Sequence, residues 1–254
     1  MIDLMGRVAL VTGSSRGIGR ACALRLAEAG ADLVINYVTN KRAATEVAEQ
    51  IREMGRSVAL VRADISQRED VDSMIDFVKA ELGGLDIVVS NAATGGFRPL
   101  LATTDGNFEA AMNMNVRPLL YLVQAASELL EHSPVRAKVI AISSHGSFMA
   151  LPMYGTIGTS KAALESLVRH FALELGNRNV NFNVVRAGLV ETDSTRMLPG
   201  SEEMFRGRAL RSMTGERMLE AEDVANTVLF LASPLSDLIQ AETITVDGGS
   251  AVHV

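Results

Sequence analysis

The sequence has very little cysteine and no surplus of positive charge. Its single cysteine, Cys22, cannot form an internal disulfide or a thiolate metal cluster, which favours a reducing compartment. The 24 lysines and arginines are outnumbered by 30 aspartates and glutamates, giving a net charge of −6. A chain with this balance has no general attraction to phosphate backbones or anionic lipid. We therefore expect no nucleic-acid partner.

Targeting and membrane-spanning patterns are also missing. Residues 1–7 lack a basic stretch followed by an apolar core, so we read no signal peptide. No apolar run approaches the roughly 20 residues that a membrane-spanning helix needs. The histidines have no metal-ligand spacing and there is no G-x-S-x-G elbow, which argues against a metalloenzyme and a serine hydrolase. We expect a cytoplasmic protein with no membrane partner.

The sequence does contain enough apolar residues to build a core: 48% of its 254 residues are hydrophobic and 21% are charged. Short runs of valine, isoleucine and leucine alternate with segments of helical periodicity, which predicts a parallel sheet covered by helices on both faces. Seven strands are predicted, at 8–11, 33–37, 58–61, 87–90, 139–143, 180–185 and 243–246. No linker or repeat divides the chain, so the prediction is one doubly wound α/β domain over 1–254.

Two segments of this pattern are irregular. Pro118 lies inside a helix predicted from about Asp105 to Glu131, and proline should bend or break that helix because it lacks a backbone donor. The longest segment without a clear prediction is 189–220, which contains Pro199 and five arginines. Long segments of this kind in compact domains are often lids, and we expect a substrate lid here.

A glycine-rich turn directly follows the first predicted strand. Residues 12–19 read Thr-Gly-Ser-Ser-Arg-Gly-Ile-Gly and open the first helix. Glycines permit a tight turn and a close approach to a pyrophosphate, whose charge then faces the helix N-terminus. The strand–turn–helix context favours a dinucleotide site over a plain turn. Its candidate cofactor-binding residues are Gly13, Ser14, Ser15, Arg16, Gly17, Ile18 and Gly19.

The end of the second strand indicates which dinucleotide is preferred. An NAD site would place an acidic residue there to accept from the ribose hydroxyls, but this chain has Asn36. Without a carboxylate nothing repels a 2′-phosphate, and Arg16 and Lys41 could neutralise one. The pattern favours NADPH as the cofactor. The alternative is that Lys41 and Arg42 are only solvated charges at the start of a helix.

Further motifs with a characteristic spacing extend over nearly the whole chain. They are Asp64 after the third strand, Asn91-Ala92-Ala93 after the fourth, Asn115 in the long helix, Ser144 after the fifth strand and Lys161 on the next helix. Together with the glycine turn, this set resembles the short-chain dehydrogenase/reductase superfamily. The resemblance implies a seven-stranded Rossmann domain with a homodimeric or homotetrameric assembly.

The resemblance also assigns further cofactor contacts. Asp64 and Ile65 would hold the adenine, although Asp64 could instead only close a turn. Asn91 would support the cofactor loop, and Thr192 would lie near the carboxamide. The full set implied outside the glycine turn is Asn36, Lys41, Asp64, Ile65, Asn91, Ala92, Asn115, Lys161 and Thr192.

The catalytic tyrosine of that superfamily is displaced in this chain. Typical members place it four residues before the lysine, where this chain has Ile157; the nearest tyrosine is Tyr154, seven residues before Lys161. Seven residues are two helical turns at nearly the same azimuth, about 10.5 Å of rise against roughly 6 Å for four residues. Tyr154 and Lys161 can therefore face one pocket, with the phenol displaced by up to one turn.

This spacing resembles the type III, NADPH-dependent enoyl-acyl-carrier-protein reductases of fatty acid synthesis. The Ser-Ser-x-Gly-Ser run at 143–147 is similar as well, as is the pair Ala187-Gly188 where typical members have Pro-Gly. The resemblance implies that Tyr154 stabilises the thioester oxygen and that Lys161 holds the nicotinamide ribose. Ser144 would add a hydrogen bond to the substrate oxygen or to Tyr154. The substrate would be a trans-2-enoyl thioester on acyl carrier protein or coenzyme A.

Other interpretations stay open at this point. One is a 3-oxoacyl or other carbonyl reductase of the same superfamily. Another, motivated by Ile157, is a catalytically inactive nucleotide-sensing protein, in which Tyr154 would be only a core or interface residue. The arginines between 196 and 217 could dock an acidic carrier protein or could form a solvated lid.

Overall fold

The structure is a computed structural model and describes residues 2–196 and 200–252. Its strands form one sheet in the order β3-β2-β1-β4-β5-β6-β7, and every neighbouring pair is parallel. The strands are β1 (Val8–Val11), β2 (Asp32–Tyr37), β3 (Val58–Arg62), β4 (Ile87–Ser90), β5 (Ala137–Ser144), β6 (Val180–Ala187) and β7 (Thr243–Val246). The predicted seven-stranded doubly wound sheet is confirmed.

Helices cover both faces of this sheet. They are α1 (Gly17–Glu28), α2 (Lys41–Glu53), α3 (Arg68–Leu82), α4 (Asp105–Asn115), α5 (Arg117–Glu131), α6 (Gly155–Leu175), α7 (Asp193–Arg196), α8 (Ser201–Arg211) and α9 (Ala221–Ala232). Consecutive strand residues pack on opposite faces: Ala9 belongs to a core with α1, α2 and α9, and Leu10 to a second core with α3, α5 and α6. Strands β1, β2, β4, β5 and β6 contribute buried apolar side chains to both cores, as expected of a parallel sheet covered on both faces.

The strand order reverses between β1 and β4, which are neighbours in the sheet. In open parallel sheets the crevice outside the carboxyl ends of the strands, at this switch point, is where ligands bind. The glycine turn follows β1 and Asn91 follows β4, so the topology brings both to this crevice.

The helix predicted around Pro118 is interrupted, as expected. It consists of α4 and α5, separated by Val116, and Pro118 occupies the first turn of α5, where its missing donor costs no hydrogen bond. Helix α6 begins at Gly155, directly after Tyr154.

The segment 189–220 is not structureless, because it contains α7 and α8. Residues 197–199, with Pro199, lie outside the described residues. None of the helices in the described part of the chain is long and apolar enough to cross a membrane.

Candidate active site

The turn after β1 has the shape of an anion cradle. Gly13 and Gly17 have φ values of +62° and +53°, in the left-handed region that favours glycine. A Cβ on Gly13 would lie 2.8 Å from the Cβ of Ala92, and one on Gly19 would lie 2.5 Å from the carbonyl oxygen of Gly13. Helix α1 has no side-chain cap and no acidic residue in its first turn. Its first N–H groups are therefore suited to an anion.

Residues after β4 hold this turn from one side. Asn91 donates from Nδ2 to the carbonyl oxygen of Thr12 at 2.9 Å. The Oγ1 of Thr12 in turn accepts from the backbone N–H groups of Asn91 and Ala92, at 2.9 and 3.1 Å. On another side, the Cγ2 of Thr192 would lie 3.5 Å from a Cβ on Gly17. The structure thus brings Asn91, Ala92 and Thr192 to the glycine turn.

Asn36 lies behind the turn rather than at its open side. It is 1% exposed; its Oδ1 accepts from the N–H of Gly13 at 3.2 Å and its Nδ2 donates to the carbonyl oxygen of Ala63 at 3.0 Å. The side chain therefore joins the turn to the residue after β3, and a direct contact of Asn36 with the cofactor stays a prediction. The two expected cations, Arg16 and Lys41, are exposed at the starts of α1 and α2.

Asp64 closes a turn between β3 and α3. Its Oδ1 accepts from the backbone N–H and the hydroxyl of Ser66, at 3.0 and 2.7 Å. The neighbouring Ile65 is buried in the core with α3 and α5. These contacts are the ones expected of a turn residue, and the adenine contact of Asp64 and Ile65 stays a prediction.

Ser144 and Tyr154 meet at the carboxyl end of β5. Ser144 is the last residue of the strand, Tyr154 directly precedes α6, and their hydroxyl oxygens are 3.0 Å apart. A Cβ on Gly146 would overlap the Tyr154 ring, and one on Gly158 would lie 2.6 Å from the carbonyl oxygen of Gly146. Burial raises the pKa of the Tyr154 phenol, and the hydrogen bond with Ser144 acts in the opposite direction.

Lys161 reaches the same end of β5 from inside α6. Its Nζ donates to the carbonyl oxygen of Ile142 at 2.7 Å, two residues before Ser144. Desolvation lowers its pKa to about 8, and the nearby Glu165 acts in the opposite direction. Tyr154 therefore contacts Ser144 and Lys161 contacts Ile142. Although the two side chains lie seven residues apart, both reach the last three residues of β5.

Asn115 connects α4 to α6 beside these residues. Its Nδ2 donates to the Oγ of Ser160 at 2.9 Å, and its Oδ1 accepts from the N–H of Thr94 at 2.9 Å. The residue is 4% exposed. Asn115 thus fixes the loop after β4 against the helix that carries Lys161.

The position that typical family members give to tyrosine is filled by an apolar contact. Ile157 is buried and packs closely on Gly95. Any side chain at position 95 would overlap Ile157. It has no proton to donate. Ser144 and Tyr154 instead place two hydroxyl groups in contact with each other at this end of β5.

A buried ion pair beside the site was missed in the sequence. Nη2 of Arg186 lies 2.6 Å from Oε2 of Glu165, whose Oε1 accepts from the hydroxyl of Ser143 at 2.6 Å. Burial favours a high pKa for Glu165, but hydrogen bonds from Arg186, Ser143 and Ser147 outweigh it and lower the pKa. The available signal was Arg186 itself, the one charged residue in β6. The pair fixes β6 to α6 next to Lys161.

Within the expected lid, Arg196, Arg208 and Arg217 contact defined groups of the same chain. Arg196 pairs with Glu191 at 2.8 Å, and Arg217 pairs with Asp223 at 2.8 Å. Arg208 turns inward and donates to a backbone carbonyl oxygen after β7 at 3.2 Å. This leaves less positive surface than the sequence suggested. The side chains of Arg206 and Arg211 are exposed on α8.

An apolar cleft of about 520 Å³ borders Tyr154. Its walls come from the loop between β5 and α6, from α6 and from the loop after β4, and include Leu100, Phe148, Met149, Leu151 and Met153, with Arg98 as a cationic residue. A cleft with these walls is suited to bind an uncharged group of a ligand next to the phenol of Tyr154. The described residues include no group of three His, Cys, Asp or Glu side chains placed to hold a metal ion.

The doubly wound sheet, the glycine turn at its switch point and the Ser–Tyr–Lys set define the class of dinucleotide-binding oxidoreductases. Comparison with known proteins specifies the class further. Residues 13–251 match the family model described as Enoyl-(Acyl carrier protein) reductase. The chain belongs to the short-chain dehydrogenase/reductase superfamily.

Individual relatives cover nearly the whole chain. A 1-cyclohexenylcarbonyl-CoA reductase of Streptomyces collinus is 34% identical over 248 residues, which are 97% of this chain and 87% of that protein. The hydroxynaphthalene reductase-like protein Arp2 of Metarhizium brunneum is 33% identical over 98% of this chain and 96% of its own length. A Burkholderia cenocepacia short chain dehydrogenase solved with NADP is 33% identical, with a TM-score of 0.89, covering 97% of this chain and 98% of its own.

Lys161 should make stability depend on pH. Its pKa is about 8 in the folded chain and 10.5 for an ordinary lysine, so between these values the unfolded chain binds more protons. The free energy of unfolding should therefore rise with pH from about 8 to about 10.5, by roughly 3 kcal/mol. Urea unfolding at several pH values measures this rise as the difference in free energy of unfolding between wild type and Lys161→Met. If the pH profile of the free energy of unfolding of Lys161→Met is parallel to that of wild type, the prediction is wrong. The control variant Lys79→Met, at an exposed lysine, should have a profile parallel to that of wild type.

Proposed function

We propose that the protein is an NADPH-dependent reductase of trans-2-enoyl thioesters, as in fatty acid synthesis. The observation that carries this proposal is the hydroxyl pair of Ser144 and Tyr154, 3.0 Å apart, beside an Ile157 that has no proton to donate. The family model's description supports it. So does the Streptomyces collinus relative, whose name denotes a reductase of a coenzyme A thioester.

The glycine turn fits the pyrophosphate of a dinucleotide. Its left-handed glycines and open helix N-terminus offer backbone donors, and the solved Burkholderia relative contains NADP. When bound, NADPH supplies the hydride. In this proposal residues 13–19 hold the pyrophosphate, Lys161 the ribose beside the nicotinamide, and Thr192 its carboxamide; Asn36, Asn91, Ala92 and Asn115 act through the turn and its neighbouring loop.

The 2′-phosphate of NADPH would lie between the two exposed cations. Arg16 and Lys41 stand at the starts of α1 and α2, and position 36 carries a neutral amide instead of a carboxylate. Arginine binds phosphate through paired N–H donors, which makes Arg16 the stronger candidate. Asp64 and Ile65 would border the adenine.

Tyr154 is suited to stabilise the charge that develops on the thioester oxygen. Addition of hydride to the β-carbon of the double bond moves negative charge to that oxygen. Because burial raises the pKa of Tyr154, the phenol stays protonated and can donate there, while the Ser144 hydroxyl donates to the phenol oxygen. Lys161 is still largely a cation at neutral pH and adds favourable potential.

A carbonyl reductase is the second candidate. The hydroxynaphthalene reductase-like relatives at 33% identity favour it. Against it stands the contact between Ile157 and Gly95, which fills the position from which a typical family tyrosine donates to a carbonyl oxygen. A nucleotide sensor without chemistry would have no need for a buried lysine and a hydroxyl pair at one strand end.

The acyl carrier, the location and the assembly are further parts of the proposal. Arg206 and Arg211 are exposed cations on α8 and would contact an acidic carrier protein. Burial raises the pKa of the Cys22 thiol to about 12, so the thiol is inert and compatible with a reducing cytoplasm. A homodimer or homotetramer stays a prediction.

Tyr154→Phe should abolish most activity with crotonyl-CoA and NADPH. Loss of a preorganised oxyanion donor lowers kcat about 100- to 1,000-fold. The KM for crotonyl-CoA should change little, because the interaction strengthens only in the transition state. Nicotinamide absorbance measures the rate, and Tyr121→Phe on α5 is the matched control. A Tyr154→Phe enzyme with wild-type kcat, or a wild type inactive with crotonyl-CoA, contradicts the proposal.

Arg16→Ala should remove the preference for NADPH. The ratio of kcat/KM with NADPH to that with NADH should fall about 10- to 100-fold, the value of one charge-assisted hydrogen bond. Steady-state kinetics with both cofactors measures it. Arg25→Ala, at the other end of α1, is the control. A wild-type ratio near one that Arg16→Ala leaves unaltered shows that Arg16 does not bind the phosphate.

Charge reversal on α8 tests carrier docking. The double change Arg206→Glu and Arg211→Glu should raise the KM for carrier-bound crotonyl chains several-fold, and raise it more than the KM for crotonyl-CoA. The difference should shrink at high salt, because exposed charges are screened. An unchanged KM for the carrier-bound substrate would falsify the docking role.

A further inference from the structure

A buried histidine beside the candidate catalytic serine links three segments that are distant in sequence. His145 directly follows Ser144 and is 3% exposed. Its Nε2 lies 3.0 Å from Oδ2 of Asp247, and its Nδ1 contacts Nη2 of Arg208. Asp247 directly follows β7 and Arg208 lies on α8. The imidazole therefore joins the end of β5 to both of these segments.

Both partners of His145 are themselves fixed. Asp247 accepts hydrogen bonds of 2.8 and 3.0 Å from the backbone N–H groups two and four positions further along, and so organises the turn after β7. Arg208 also donates to the carbonyl oxygen of Ser250, in that same turn, at 3.2 Å. The histidine, the arginine and this turn thus form a closed ring of contacts.

The close packing around His145 requires a glycine directly after β6. A Cβ on Gly188 would lie 2.9 Å from the Cβ of Asp247 and 3.3 Å from Cε1 of His145. Gly188 follows β6, in the Ala187-Gly188 pair that departs from the typical family sequence. A side chain there would displace Asp247 or the imidazole.

The contacts define which form of the imidazole fits. A guanidinium has only donors, so Nδ1 of His145 must accept from Arg208 and the ring proton must lie on Nε2. Nε2 faces the Asp247 carboxylate at 3.0 Å but has no aligned hydrogen-bond partner among the described residues. The attraction to Asp247 is therefore electrostatic, and the ring lies between a guanidinium and a carboxylate.

We propose that His145 is a positioning residue that holds helix α8 against the carboxyl end of β5 through Arg208, and that this anchor sets how tightly substrate is held beside Ser144. Without the ring nitrogens, α8 would lose a buried attachment to the strand, while the glycine turn would keep all its contacts. The kinetic part of this proposal rests on the proposed function; the structural part does not.

Trypsin cleavage within α8 of the full-length protein measures the anchor directly. Cleavage of a locally opening segment follows the population of its open form. We expect His145→Leu, which removes both nitrogens, to accelerate cleavage after Arg211 about tenfold. His145→Gln retains an acceptor and a donor and should restore most of the protection. Glu203→Gln, on the exposed side of α8, should cleave at the wild-type rate.

Three further measurements separate positioning from general destabilisation. The thermal midpoint of His145→Leu should stay near that of wild type, and its Kd for NADPH should be unchanged, while its KM for crotonyl-CoA should rise several-fold. Arg208→Leu should behave alike, and the double variant should do no more than either alone.

Unchanged cleavage in His145→Leu, additive effects in the double variant, or a drop in midpoint large enough to explain the faster cleavage overturns the proposal. If wild type fails to reduce crotonyl-CoA, the proposed function fails, and the cleavage rates still decide the role of His145.

Discussion

The close packing of Gly146 on the Tyr154 ring, and of Gly158 on the backbone of Gly146, is the constraint on which the rest of this site depends. Gly146 and Gly158 leave room for the ring of Tyr154 and for the loop beneath it, so that the phenol reaches the Ser144 hydroxyl at 3.0 Å. The same packing starts α6 at Gly155 and so places Lys161 two turns inside the helix. A larger residue at either glycine would separate the hydroxyl pair.

Burial then gives the two ionisable groups complementary properties. It raises the pKa of the Tyr154 phenol, which stays a donor, and lowers the pKa of Lys161 to about 8, which leaves a cation at neutral pH. The neighbouring carboxylate, Glu165, is neutralised by Arg186 rather than by Lys161 alone. A preorganised donor next to a cation is what an enolate-like transition state requires, since charge appears on an oxygen that carries little in the ground state.

The fold could be predicted because its signals are local. Continuous apolar runs identify buried strands, and Pro118 marks the break between α4 and α5. The start of α6 could not be predicted from the sequence. Gly155 and Gly158 are poor helix formers, and the first turn depends on tertiary contact with Gly146.

In the site, the pairing of Ser144 with Tyr154 followed from family spacing. The burial of Asn36, the Arg186–Glu165 pair and the inward turn of Arg208 did not, because each depends on a partner far away in sequence. Which of two thioesters receives the hydride tests the central claim most directly. With NADPH carrying deuterium at the transferred position and crotonyl-CoA as substrate, the account predicts butyryl-CoA labelled at C3. A parallel reaction contains acetoacetyl-CoA in place of crotonyl-CoA. Labelled 3-hydroxybutyryl-CoA from that reaction, with crotonyl-CoA left unreacted in the first, would contradict the proposed enoyl reduction.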